Sequence, residues 1–69
     1  MKTTTTTNES FIKEYQEQII SKRKQIVYCK EQIASTDEKW VIKEYESGIN
    51  GCKLEIERLI NIINNIKAL

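Results

Sequence analysis

Apolar side chains recur along this chain in steps of three and four, and they do so in two separate runs. The first is Ile12, Tyr15, Ile19, Ile26, Cys29 and Ile33, with Lys22 at the one seam position not held by an apolar residue. The second is Ile42, Tyr45, Ile49, Cys52, Ile56, Leu59, Ile63 and Ile66. This spacing keeps side chains on one stripe of an α-helix, and isoleucine recurring every seven residues in both runs marks helices that pack against another helix. Between the seam positions the chain is mostly Glu, Lys, Gln, Asn and Ser, as solvated faces require. The pattern predicts an all-α chain.

The interval between the two runs decides how they relate. Ile33 and Ile42 are nine residues apart, and at about 100° per residue a continuous helix would turn its second seam away from its first. A turn lets the seams face each other. Ser35, with Glu38 three residues later, has the form of a capping box, and Asp37 and Glu38 suit the first turn of a new helix. The prediction is an antiparallel two-helix hairpin, coiled-coil-like: helix over 9–34, turn over 35–37, helix over 38–68. A disordered Thr-rich tail over 1–8 precedes it, because consecutive threonines bury no apolar surface.

With the turn centred on Ser35 and Thr36, facing residues should have numbers adding to about 71. Ile26 then lies beside Tyr45, Ile19 beside Cys52, Tyr15 beside Ile56 and Ile12 beside Leu59. Lys22 falls opposite Ile49 and near Glu46, and the two cysteines stand roughly 15 Å apart along the axis, too far for a disulfide. Gly48 and Gly51 each cost a helix interior roughly 1 kcal/mol, and Asn50-Gly51 is a common turn dipeptide. The seam nevertheless keeps its phase from Tyr45 through Ile49 to Cys52, which favours one continuous helix over a break, with 48–51 as the place where it could kink. Ile12-Lys13-Glu14-Tyr15 returns as Ile42-Lys43-Glu44-Tyr45, an internal correspondence of thirty residues.

Apolar residues outside the seams are where function is to be sought. Ile20 and Val27, with Ala34, form a second line on the first helix, while Ile60, Ile62, Ile63, Ile66 and Leu69 are too many for a single seam. In the expected register residues 64–69 also overrun the start of the first helix. These residues predict self-association into a four-helix bundle or a higher helical oligomer, with a dimer favoured. Trp40 and Leu54 lie opposite the second seam, with Arg58 nearby, and Tyr28 points away from the first; all four are partner-binding candidates, since aromatic and Arg residues anchor interfaces. Trp40 as a cover for the hairpin end, and Tyr28 as a solvated ring, are the plainer readings.

Composition narrows the chemistry. Across 69 residues, 11 Lys and Arg face 10 Asp and Glu, and the net charge of +1 offers no overall attraction to nucleic acid or an anionic membrane. The local run Lys22-Arg23-Lys24 is the one anionic-ligand patch, for nucleic acid or a nucleotide, although Glu14, Glu17 and Glu31 are interleaved with it. There is no His, there are only two Cys, and no Gly-rich phosphate loop is present. The pairs Glu44/Glu46 and Glu55/Glu57 diverge around their helix rather than converge. No catalysis, metal or cofactor is therefore expected.

No apolar run is long enough to span a bilayer or to serve as a signal peptide, so a cytoplasmic protein with reduced thiols and no membrane partner is expected. A core of this size seldom supplies more than about 3–5 kcal/mol. The sequence thus predicts a non-catalytic hairpin that associates with itself and binds, occludes or bridges a protein partner, as small regulators, adaptors and inhibitors encoded by viruses and mobile elements do.

Overall fold

Two long helices run antiparallel, and the isoleucine seams meet between them. The computed structural model describes the backbone of residues 2–69 and the side chains of residues 8–69, so most of the tail expected over 1–8 lies outside the residues whose side chains are described. Helix α1 is Lys2–Ala34 and helix α2 is Lys39–Ala68; Asn8, expected to end the tail, is helical. The hairpin measures 57 × 15 × 10 Å, a single layer of two helices. Every face except the seam borders solvent.

The turn spans 35–38 and is built differently from the expected capping box. Ser35 closes α1 instead of opening α2: its backbone N–H donates to the Glu31 and Gln32 carbonyls at 3.2 Å, and its Oγ donates to the Gln32 carbonyl at 3.0 Å. Glu38, in extended conformation, is the N-cap of α2, and no side chain caps that helix. Thr36 Oγ1 accepts the Glu38 N–H at 3.3 Å, bridging the short extended segment. Ser35 lies too early because the chain needs three more residues to reverse before helical hydrogen bonding resumes, with Ile42 N–H donating to the Glu38 carbonyl at 3.1 Å.

That segment also moves the register. Cys52 Sγ donates to Gln25 Oε1 at 3.4 Å, and Cys29 Sγ lies 3.7 Å from where a Cβ on Gly48 would stand. In both pairs the residue numbers add to 77, six more than expected, a relative displacement of roughly 9 Å along the helices. The first turn of α2 accordingly projects past the end of α1, and positions 64–69 are drawn back alongside 8–13 rather than overrunning them. Lys22 comes near Glu55, whose carboxyl feels its charge, not near Glu46. The cysteines end about one turn apart on facing helices, roughly 6 Å along the axis rather than 15 Å, and both are free thiols.

Among the described residues the five buried ones, Ile19, Ile49, Cys52, Leu59 and Ile63, are all seam positions. Ile19, Leu59 and Ile63 form one cluster, with Ile12, Tyr15 and Ile56 packed against it. Leu59 is the most enclosed, at 1% exposure. The thirty-residue correspondence equates Leu59 with Cys29 and Gln18 with Gly48, so the half of the hairpin near the turn carries smaller side chains. Lys22, Gln25, Cys52 and Glu55 separate the two halves. This polar middle follows from a seam that lacks an apolar residue at Lys22.

Helix α2 runs unbroken through Gly48 and Gly51, and neither glycine has a positive φ. A Cβ at Gly48 would make ordinary van der Waals contact with Cys29, and one at Gly51 would meet nothing within 4 Å. Both positions therefore carry the entropic cost of glycine without a steric reason for it. Gly48→Ala and Gly51→Ala are each expected to raise stability by about 0.5–1 kcal/mol, read as a higher urea midpoint with unchanged slope. Leu59→Ala is expected to cost about 2–5 kcal/mol, most of what a core this small supplies, and thermal melts followed by circular dichroism should show little cooperative transition. Leu54→Ala, at a residue 67% exposed, should stay within about 0.5 kcal/mol of the parent.

Candidate interaction surfaces

What the seam leaves uncovered falls into three places. Helix α2 turns Trp40 and Leu54 outward at 66% and 67% exposure, as their position opposite the seam requires. They are fourteen residues apart, roughly 21 Å along the helix, so they are two points on one face and not a single site. Trp40 is held in place locally: its Nε1–H donates to Glu38 Oε2 at 2.6 Å, and it borders a shallow depression with Val41, Glu44 and Tyr45. The indole stands at the projecting first turn of α2, where α1 has already ended.

Tyr28 is 55% exposed, and its ring also makes a contact within the hairpin. It meets Tyr45 across the hairpin edge to face, with centroids 6.3 Å apart and planes at 73°, which adds to the thinner half of the interface. Loss of solvent, followed by the neighbouring Tyr28, raises the Tyr45 phenol above its ordinary pKa. Arg58 is also engaged. Its Nε and Nη2 donate to the two Glu55 carboxylate oxygens at 3.0 and 3.3 Å, so its guanidinium serves its own helix before any partner.

The second place is a groove of about 430 Å³ along one side of the hairpin, floored by Ile19 and Ile63, walled by Ile20 and Ile60, and edged by Arg23 and Lys67. Ile20 is 52% and Ile60 39% exposed, and Val27 lies one heptad beyond Ile20 at 55%. Of the residues expected to drive self-association, Ile20, Val27, Ile60 and Leu69 are exposed, whereas Ile63 is buried in the hairpin's own core and Ile62 and Ile66 are half-buried. The longer register is the cause, since it supplies α1 as a partner for the end of α2.

The third place is Phe11, 48% exposed beside the seam, a residue that seam spacing does not select. Its signal in the sequence is only that it is the chain's one phenylalanine and adjoins Ile12.

Lys22, Arg23 and Lys24 are not brought together. Successive helical residues diverge by about 100°: Lys22 is half-buried at the seam, Arg23 edges the groove and Lys24 faces outward. Among the described residues no three His, Cys, Asp or Glu side chains converge as metal ligands. No helix among them is long and apolar enough to cross a membrane. No protein-family model, curated protein or solved structure matches this chain.

The Arg58 hydrogen bonds, reinforced by its charge, hold the Glu55 carboxyl below its ordinary pKa. A carboxylate depressed in the folded state contributes stability above its unfolded pKa and loses that contribution as pH falls through the folded value. Arg58→Ala is therefore expected to narrow the difference in urea midpoint between neutral pH and about pH 3. The change will be small, because water screens the pair.

Proposed function

We propose that this chain is a non-catalytic helical hairpin that associates with itself and acts by binding, and thereby occluding or bridging, a protein partner. One observation carries the reading: among the described residues five are buried, while eight large apolar side chains, among them Trp40, Leu54, Ile20, Val27 and Phe11, are exposed. A single seam between two helices supplies little stability by itself, and exposed apolar patches on a small chain mark surfaces that other chains cover. The dispersal of Lys22, Arg23 and Lys24 around α1 gives phosphate binding at that run no comparable support.

Light scattering across the micromolar range is expected to give a mass that is a multiple of 8.1 kDa. The melting temperature should rise with protein concentration, as mass action requires of an associating fold. A single 8.1 kDa species whose melting is independent of concentration would overturn the self-association. For partner binding, Trp40→Ala with Leu54→Ala should lower recovery of proteins co-purified from the native host while leaving helicity unchanged; equal recovery would count against that face.

A further inference from the structure

The near-neutral chain conceals a lopsided surface, and the groove reveals it. Residues seven apart share a helix face, so the groove-lining residues Gln16, Ile20, Arg23, Ile60, Asn64 and Lys67 define a flank that continues along both helices. On α1 that flank carries Lys13, Arg23 and Lys30. On α2 it carries Lys39, Lys43, Lys53 and Lys67. The acids in the same heptad positions are Glu9, Glu46 and Glu57. Seven cations against three carboxylates leave a net +4 on this flank, and −4 on the rest of residues 8–69, whose positive and negative side chains balance. All ten side chains are exposed, and the one ion pair among the described residues, Arg58 with Glu55, involves none of them.

We infer that this flank receives an acidic amphipathic helix from a protein partner, its apolar stripe lying on Ile20, Val27 and Ile60 and its carboxylates against Arg23, Lys30, Lys53 and Lys67. The inference rests on the protein-binding reading above and adds the chemistry of the partner. A groove between two antiparallel helices is the seat a third helix takes, and an apolar strip bordered by like charges selects a ligand with the same strip and the opposite charge. The same flank of a second copy would set +4 against +4. Nucleic acid phosphates would meet the cations but leave the three apolar side chains wet, and would also face the three carboxylates.

The test uses the full chain and a fluorescein-labelled designed peptide of about three heptads, with Leu at the a and d positions and Glu beside them. A counterpart carrying Lys in place of Glu serves as the contrast. Anisotropy titrations are expected to show saturable binding of the acidic peptide, weakened about tenfold or more between low and high salt, and binding of the Lys counterpart weaker by a similar factor. Arg23→Glu with Lys67→Glu, and separately Ile20→Ser, should each weaken acidic-peptide binding about tenfold with unchanged far-ultraviolet circular dichroism. Arg23→Glu with Lys67→Glu should leave the mass of the unliganded protein as it is.

Equal affinity for the two peptides, or indifference to either variant, would overturn the proposal. So would tighter binding of a duplex oligonucleotide or phosphatidylserine vesicles than of the acidic peptide. A change of unliganded mass in the charge-reversal variant would overturn it too, by assigning the flank to a second copy. The mass and melting of the unliganded wild type judge the self-association separately.

Discussion

Two helices can bury only the one stripe along which they touch, and every property of this hairpin follows from that limit. With no third layer, the interior is a single file of seam side chains, and the five buried residues among those described all stand in it. Isoleucine suits this role because a β-branched chain is confined largely to one rotamer in a helix, so little side-chain freedom is lost when it packs. The interior is not uniform. Leu59, flanked by Ile19 and Ile63, closes the end far from the turn, whereas the corresponding place near the turn holds Cys29 against Gly48.

The polar middle links packing to alignment. Lys22, half-buried, lies near enough to Glu55 for its charge to be felt there, while the Cys52 thiol finds Gln25. A polar residue in an otherwise apolar seam penalises slipped pairings that would bury its charge, and here it stands beside the cluster of Ile19, Leu59 and Ile63, in a heptad pattern that could otherwise slide by seven residues. The same alignment builds the groove, because it sets Ile20 and Ile60 on a common flank with Arg23 and Lys67. Packing within the hairpin thereby decides which surface remains for another chain.

Much of this was legible from residue spacing. The outward placement of Trp40 and Leu54, the second line through Ile20 and Val27, and the continuity of α2 past its glycines all follow from helical geometry, which is local and periodic. Other features were not legible. The edge-to-face contact of Tyr28 with Tyr45 depends on cross-helix neighbours, and the pairing of Arg58 with Glu55 on the rotamers that two side chains of one helix adopt. The basic flank lay hidden for a related reason: its cations are spread from Lys13 to Lys67 and form a surface only when two antiparallel helices are laid side by side. The eye is drawn instead to Lys22-Arg23-Lys24, a run that is contiguous in sequence and dispersed in space.

The amino-acid sequence by itself determined that the chain is helical, that it reverses between Ile33 and Ile42, and which stripe of each helix faces the other. Those are consequences of a 3.6-residue period and of nine residues rotating the seam out of phase. Only the tertiary structure decided the axial alignment. A heptad pattern repeats itself, so several registers place isoleucine against isoleucine nearly equally well, and the extended residues before Lys39 together with the contacts of Gln25 and Cys29 select the one in which facing numbers add to 77. From that choice come the covered end of α2, the proximity of the two thiols, and the charged groove along one side.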